Sequence, residues 1–272
     1  DLSETDVKET AAICWQKGVS LHRVPNLSMW LSPQNTLDSL EKVSIEDLLG
    51  RSEVQLDPGR VEDYLRDKVV LITGAGGSIG SELCRQVCRC GPERLILLGK
   101  GENSIYHIQN ELASVYEESD FDLVSVIGDV TNPEKIRYIF ERYKPDVVFH
   151  AAAYKHVPFM EFDPEEAIRN NVFGTRTVAT AALEYNASKF VLISTDKAVN
   201  PINLYGATKL ASDKLFVAAN NMIGNDYPRF SVVRYGNVAG SRGSVVQHFN
   251  ELISRGEDYL PITDDRMTRF WI

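Results

Sequence analysis

A tyrosine and a lysine four residues apart form the first pair in this sequence that could do acid–base chemistry. Tyr205 and Lys209 bound the run Tyr-Gly-Ala-Thr-Lys, and because four residues make about one helical turn, both side chains face the same way. A free phenol has a pKa of about 10, and a neighbouring ammonium lowers that pKa until the phenolate can act as a base near neutral pH. The pattern also occurs by chance, so its meaning depends on the surrounding fold.

A second polar group, Thr195, Asp196 and Lys197, follows an apolar run shortly before this pair. Adjacent opposite charges at the end of a strand are commonly a solvent-exposed ion pair of little energetic value. The same carboxyl group and amine could instead act as a general acid and a general base.

A glycine-rich turn follows an earlier apolar run. Gly74, Gly77 and Gly80 recur every third residue, with Ser78 and Ile79 between the last two. Glycine permits a tight turn and lets backbone N–H groups approach a pyrophosphate at a helix N-terminus. Any strand-to-helix turn can use glycine, but the position of this one between a strand and a helix predicts a dinucleotide-binding site.

Two further segments bear on the choice of dinucleotide. Lys100 follows the second apolar run where an NAD site usually places an acid, which favours NADP through its 2′-phosphate. NAD remains the alternative, because Lys100 could be solvated and Glu102 could turn back towards the ribose. Asp129, followed by Val130, offers a carboxylate suited to an adenine amino group, or is simply an exposed loop residue.

The elements that must position these residues alternate along the chain. Continuous apolar runs indicate strands covered on both faces, at 68–73, 94–98, 123–127, 146–150, 190–194 and 230–234. Helical patterns lie between them, at 78–90, 104–116, 133–143, 165–185 and 205–221. This alternation predicts an α/β fold with a doubly wound parallel sheet, in which ligands bind beyond the carboxyl ends of the strands.

The first part of the chain differs in pattern from the rest. We divide the sequence into an N-terminal appendage, residues 1–66, and a dinucleotide-binding domain, residues 67–272. Helical patterns lie near 7–16, 45–51 and 61–65, and residues 1–42 suggest no function. Because the chain begins without methionine and stops in an apolar run, we expect a fragment with a partly missing substrate-binding region.

Composition excludes several classes of protein. The formal net charge of −9 argues against binding nucleic acid through its phosphates, and no apolar run reaches the roughly 18 to 20 residues of a membrane span. Cys84 and Cys88 share a helical face but lack further ligands at zinc spacing, so we expect no metal. Buried thiols in a reducing, cytoplasmic compartment are the preferred interpretation.

With these motifs in order, the sequence resembles the extended short-chain dehydrogenase/reductases, and among them the UDP-N-acetylglucosamine 4,6-dehydratases of polysaccharide and glycan biosynthesis. The resemblance covers about residues 43–272. It depends on Leu-Leu-Gly-Arg at 48–51 and on the segments at 74–80, 149–158, 194–198, 203–209, 234–238 and 267–272.

The resemblance implies oxidation of the hexose at C4 with Tyr205, loss of water across C5 and C6, and hydride return to C6. The base at C5 would be Lys197, the acid at the C6 hydroxyl Asp196, and Thr195 would hydrogen-bond the C4 oxygen. A UDP-sugar 4-epimerase needs no such second pair, and a nucleotide-binding sensor without turnover needs none of these residues.

The resemblance also implies ligand contacts. Cofactor contacts would include Ala151 and Ala152, and Lys209 would hold the nicotinamide ribose. Substrate contacts would come from Lys155, His156, Asn171, Asn237, Ser241, Arg242 and Arg269. The motifs mix features of the membrane-anchored and the small soluble branches, so a parent protein with an upstream membrane domain is expected. We also expect a homo-oligomer.

Overall fold

The chain divides into two compact units, residues 1–55 and 56–272. A computed structural model describes residues 58–116, 121–223, 228–238, 241, 243–257 and 259–271, together with residues 6, 9–10, 13–14, 17, 19, 21–23 and 41–42. In the first unit, β1 (His22–Arg23) pairs antiparallel with β2 (Glu41–Lys42), and the described residues between 6 and 14 are helical, as predicted. The helical turns predicted at 45–51 lie outside the described residues.

A six-stranded parallel sheet forms the centre of the second unit. Its strands are β3 (Val69–Thr73), β4 (Arg94–Gly99), β5 (Asp122–Ile127), β6 (Val147–His150), β7 (Lys189–Thr195) and β8 (Arg229–Tyr235). They lie in the order β5-β4-β3-β6-β7-β8, and every neighbouring pair is parallel. The predicted doubly wound α/β fold is confirmed, and its switch point lies between β3 and β6, where the direction of winding reverses.

Helices connect these strands on both faces of the sheet. They are α1 (Pro58–Leu65), α2 (Ser78–Arg89), α3 (Glu102–Val115), α4 (Pro133–Tyr143), α5 (Val157–Phe162), α6 (Pro164–Ile168), α7 (Thr175–Glu184), α8 (Leu204–Ile223) and α9 (Val245–Ser254). A turn of π-helix, Arg169–Gly174, joins α6 to α7. The helical segment predicted at 165–185 is therefore confirmed, but the prediction did not include its π-helical turn, and α5 and α9 were not predicted.

Two clusters of apolar side chains bury the two faces of the sheet. One packs β-strand residues such as Leu71 and Phe190 against α4, α7 and α8. The other packs residues such as Val70 and Ile72 against α2 and α3, and it includes Cys84 and Cys88. All five residues of β3 are buried, which is the reason for its continuous apolar sequence. The buried thiols are confirmed, and burial raises the pKa of Cys88 to about 12.

A buried histidine connects the centre of the sheet to α7. His150 is 1% exposed, with its Nδ1 2.8 Å from Thr73 Oγ1 and its Nε2 3.0 Å from Thr175 Oγ1. Thr175 Oγ1 donates to the carbonyl of Asn171 at 2.6 Å, so Nε2 of His150 carries the proton and Nδ1 accepts from Thr73. Burial, with a smaller effect from Lys209, lowers the pKa of His150 to about 3, and the ring stays neutral.

This histidine makes the stability of the fold depend on pH. Between about pH 3 and the ordinary His pKa of 6.5, the unfolded chain binds a proton that the folded chain rejects. Stability is therefore complete above pH 6.5 and falls with pH by up to about 1.4 kcal/mol per pH unit. We expect His150→Gln to lower the unfolding free energy at neutral pH but to give a shallower decrease from about pH 7 to pH 4 in denaturant titrations.

The matched control is His107→Gln, because His107 is exposed on α3. This variant should keep the wild-type slope. Equal slopes for His150→Gln and the wild type would show that His150 is not the group responsible.

Candidate active site

A cleft of about 1390 Å³ lies at the carboxyl ends of the strands, where the doubly wound fold predicts a ligand. Its wall on one side is formed by the glycine turn, by Gly99–Gly101 and by Ala151–Val157. Residues around the ends of β7 and β8 and the segment at 261–271 line the other side. The cleft is therefore long enough to hold two ligands end to end.

The glycines of the turn serve two different purposes. Gly74 has φ +68°, and a Cβ there would lie 2.7 Å from the backbone nitrogen of Ala152; a Cβ on Gly80 would collide with the carbonyl of Gly74. Both are required by the turn itself. Gly77 is exposed and lines the cleft; a Cβ there would make one tight contact, at 3.1 Å with the Gly74 oxygen, and would otherwise occupy the open cleft side of the first turn of α2.

That open space is suited to a pyrophosphate. Ser78 and Ile79 begin α2 and line the cleft, and the positive end of the helix dipole faces an anion placed there. Ala151 and Ala152 follow β6 across from the turn, and the backbone nitrogen of Ala151 donates to Thr73 O at 3.1 Å. Small side chains on both sides keep the backbone accessible, so the residues fit a dinucleotide.

Lys100 and Asp129 meet at the far end of this part of the cleft. Lys100 Nζ lies 2.8 Å from Asp129 Oδ2, and the lysine side chain is 63% exposed. Asp129 Oδ1 accepts hydrogen bonds from the backbone and hydroxyl of Thr131. Burial raises the pKa of Asp129, but Lys100 and Thr131 outweigh that effect and the pKa is lowered. Val130, in contrast, is buried in the core beside Gly174, so its side chain serves packing.

Tyr205 and Lys209 both line the cleft from the start of α8. The expected lowering of the Tyr205 pKa is wrong for this state: burial raises it, a hydrogen bond with Thr195 opposes the rise, and Asp196 adds to it. Lys209 is fully buried and its Nζ donates to the carbonyl of Ile193 at 2.7 Å. Burial lowers the pKa of Lys209 to about 8. Burial therefore favours the uncharged form of both side chains, the phenol of Tyr205 and the amine of Lys209.

The pair that follows β7 is part of a chain of hydrogen bonds. Asp196 Oδ1 accepts from Lys197 Nζ and from Thr195 Oγ1, each at 3.0 Å, and Lys197 Nζ also donates to Asn237 Oδ1 at 2.9 Å. Burial raises the pKa of Asp196, but its two hydrogen-bond donors outweigh burial and the pKa is lowered. The residue expected to be an acid is therefore deprotonated before a substrate binds.

Several residues expected to contact the substrate meet in the same cleft. Lys155, His156, Asn237, Ser241 and Arg269 all line it. The ring of His156 packs against Gly243, where a Cβ would lie 2.8 Å from Cε1. Arg269 Nη1 donates to the carbonyl of Thr268 at 2.7 Å. Arg242 lies outside the described residues.

Asn171 does not face the cleft. It is 1% exposed, its Nδ2 donates to the carbonyl of Tyr154 and to Thr208 Oγ1, and its Oδ1 accepts from the backbone of Tyr154. It therefore joins the π-helical turn to the segment after β6 and to α8. The expectation of substrate contact is corrected to a structural role, because the π-helical turn directs this side chain into the interior.

Sequence reasoning missed two groups that lie near Tyr205 and Lys209. Asp213 lies one helical turn after Lys209, is 3% exposed, pairs with Arg234 Nε at 2.7 Å, and raises the pKa of Lys209 against the effect of burial. Its four-residue spacing from Lys209 was a usable signal. The pKa of Tyr235 is raised to about 12 by burial and by Tyr205, and nothing in its local sequence indicates that proximity.

Within the described ranges, no three His, Cys, Asp or Glu side chains come together as a possible metal site. No helix in that part of the chain combines the length and apolarity needed to cross a bilayer.

Residues 70–272 match the family model described as polysaccharide biosynthesis protein. The chain belongs to this family. Among members, the capsular polysaccharide biosynthesis protein CapD of Staphylococcus aureus is 47% identical over 271 residues, which are 100% of this chain and 45% of that protein. A UDP-N-acetylglucosamine 4,6-dehydratase (inverting) of Campylobacter jejuni is 48% identical over 206 residues, covering 75% of this chain and 59% of that protein.

A solved structure gives the same result for the fold. Pen from Bacillus thuringiensis superimposes with a TM-score of 0.70 at 34% identity, over 77% of this chain and 64% of that one. The chain spans about half the length of the curated relatives it matches. The polysaccharide biosynthesis family and the extended short-chain dehydrogenase/reductase fold expected from the motifs are thereby confirmed.

The different environments of the glycines lead to a test of cofactor binding. Because the space above Gly77 is open, Gly77→Ala should change the melting temperature little but should weaken dinucleotide binding at least about tenfold, as its methyl group occupies the path of the pyrophosphate. Gly80→Ala is the comparison, since its methyl group collides with the turn and should lower both stability and binding. Nucleotide titration and thermal unfolding measure the two effects.

Unchanged binding by Gly77→Ala would place the pyrophosphate elsewhere in the cleft.

Proposed function

We propose that this chain is the catalytic core of a nucleotide-sugar 4,6-dehydratase that converts UDP-N-acetylglucosamine to a UDP-4-keto-6-deoxy sugar. One observation carries the proposal: a lysine that lines the dinucleotide cleft with the tyrosine is hydrogen-bonded to a carboxylate. Oxidation at C4 needs the tyrosine alone, whereas elimination of water needs a second base and a second acid. Lys197 and Asp196 supply both.

A nicotinamide dinucleotide, when bound, supplies the acceptor for the C4 hydride and its donor to C6. The glycine turn, the start of α2 and Ala151–Ala152 are the residues that would hold it. We propose NADP, with NAD as the alternative, because Lys100 lines the cleft and is the cation that a 2′-phosphate would meet. Lys209, held on the Ile193 carbonyl, is placed to orient the ribose nearer the reaction.

Tyr205 acts on the proton of the C4 hydroxyl. Its hydrogen bond with Thr195 holds the phenol in place. The Thr195 hydroxyl donates to Asp196 in the free protein, and it would turn to donate to the C4 oxygen of the ketone. The raised pKa of Tyr205 belongs to the free protein, in which burial penalises the phenolate. A positively charged group bound nearby would favour the phenolate and lower that pKa.

Lys197 and Asp196 act on C5 and C6. Net transfer of one proton from the Lys197 ammonium to Oδ2 of Asp196, by way of water, gives a neutral amine and a carboxylic acid while Oδ1 keeps its 3.0 Å hydrogen bond from Nζ. The amine then takes the C5 proton, which the C4 ketone makes acidic. The acid gives its proton to the C6 hydroxyl, the C6–O bond breaks, and water leaves. Both groups are then again the ion pair from which they started, and when the hydride returns to C6 the Lys197 ammonium, whose protons exchange with solvent, gives C5 its proton.

Residues from both walls would hold the substrate nucleotide. Lys155 and Arg269 line the cleft, and an arginine binds a diphosphate through two parallel hydrogen bonds. His156 and Ser241 line the same cleft, where they can contact the sugar.

The reaction can be tested in heavy water. We expect the chain, incubated with UDP-N-acetylglucosamine and NADP or NAD, to form a product that has lost one water and carries deuterium at C5, seen by mass spectrometry and proton NMR. A C4 epimer of unchanged mass would make the protein an epimerase. Nucleotide binding without any turnover would make it a sensor.

Two substitutions separate the two stages of the reaction. Lys197→Ala should slow dehydration by about 10² to 10⁴-fold while leaving cofactor binding and C4 oxidation intact, because the ketone still forms but its C5 proton has no base. Tyr205→Phe should slow oxidation itself. Nicotinamide absorbance in a single turnover measures oxidation, and product mass measures dehydration. Equal loss of both by Lys197→Ala would contradict the assigned role.

The choice of cofactor can be tested at Lys100. If its ammonium binds a 2′-phosphate, Lys100→Ala should weaken NADP binding about tenfold or more, since a charge-assisted hydrogen bond is worth about 1.5 to 3 kcal/mol, and should leave NAD binding unchanged. Lys135→Ala, on α4, is the control. If Lys100→Ala changes the binding of both nucleotides equally, Lys100 does not bind the 2′-phosphate, and the reason for preferring NADP to NAD is lost.

A further inference from the structure

Asn237 contacts the reactive amine from the end of β8. Its Oδ1 lies 2.9 Å from Lys197 Nζ, on which Asp196 Oδ1 is the other acceptor, at 3.0 Å. The resemblance had assigned Asn237 to the uridine diphosphate. The structure instead directs its side-chain oxygen at the amine.

When two of the hydrogen bonds of a tetrahedral nitrogen go to fixed acceptors, the direction of its remaining position is fixed as well. Nζ of Lys197 has four positions, of which Cε takes one and the hydrogen bonds to Asp196 and Asn237 take two. The fourth carries a proton in the ammonium and the lone pair in the neutral amine. Without Asn237, Nζ could rotate about the Cδ–Cε and Cε–Nζ bonds, and that position would have no fixed direction.

The backbone around Asn237 is itself held from a distant part of the chain. Its N–H donates to the carbonyl of Phe270 at 2.7 Å, and the residue forms a parallel bridge with Trp271. Gly236 lies so close to this segment that a Cβ there would be 3.0 Å from the carbonyl carbon of Phe270. A side chain on a backbone fixed in this way keeps its acceptor in place.

We propose that Asn237 is a positioning residue that directs the lone pair of Lys197 at the C5 proton, and that it is not a ligand of the diphosphate. This inference rests on the proposed dehydratase function. It assigns Asn237 to the elimination stage only, because neither Tyr205 nor Lys209 depends on its side chain. Arg269 precedes Phe270 in the same segment, so the diphosphate contact and the direction of Lys197 share one backbone support.

The test separates oxidation from elimination in Asn237→Ala. We expect the KM for UDP-N-acetylglucosamine and the rate of C4 oxidation to stay within about twofold of wild type, while deuterium incorporation at C5 and loss of water slow by about 100-fold, the cost of misplacing a reacting group by about 1 Å. Asn110→Ala, exposed on α3, is the control and should match the wild type throughout.

Asn237→Asp provides a second variant of nearly the same shape. Its carboxylate still accepts from Nζ but also stabilises the ammonium, so elimination should recover towards the wild-type rate only at higher pH. The other titratable groups around this point are Asp196, Tyr205 and Tyr235, which are unchanged in both variants. A recovery at high pH in Asn237→Asp and none in Asn237→Ala supports the positioning role.

Three outcomes would overturn the inference. A raised KM with unchanged elimination would make Asn237 a diphosphate ligand, and parallel loss of cofactor binding, oxidation and elimination would make it purely structural. If the wild-type chain forms no dehydrated product, the proposed function fails and this inference with it. If the wild type dehydrates its substrate and Asn237→Ala does so equally fast, only this inference fails.

Discussion

A chain of buried hydrogen bonds fastens the nucleotide half of the cleft to the helix that carries Tyr205. It runs from Thr73, at the end of β3, through His150 and Thr175 to the carbonyl of Asn171. The side chain of Asn171 continues it to Thr208, whose hydroxyl donates to the carbonyl of Tyr205. Every side chain in the chain is at least nine-tenths buried, where an unmade hydrogen bond costs about 1 to 3 kcal/mol, so the two halves are held in one arrangement.

The π-helical turn is what makes this connection possible. The carbonyl of Asn171 in this turn accepts from both Thr175 and Ser212, while its side-chain amide spans Tyr154 and Thr208. Such turns are frequent at functional sites. This one connects itself, through Asn171, to the segment after β6 and to α8.

Much of the fold and of the glycine turn could be predicted from the sequence, because burial and close backbone contacts limit which residues fit. Strands such as β3 are buried on both faces, so their sequences are continuously apolar, and Gly74 and Gly80 are required by a turn that no larger residue can make. The rest depends on contacts distant in sequence. Asn171 was assigned to the substrate from the family resemblance, and no local signal marks the π-helical turn that buries it. The Tyr205 pKa was expected to fall because burial cannot be read from a four-residue spacing.

The two supports of the cleft have a consequence for how such a site can change over time. Tyr205 and Lys209 depend on the buried network between β3 and α8, whereas Lys197 is braced through Asn237 by the segment at 270–271, which lies at the surface and, at Phe270, is 77% exposed. Surface segments accept substitution and insertion far more readily than cores. Selection could therefore alter the bond that is broken after oxidation, and the sugar on which it acts, without disturbing the redox machinery beneath.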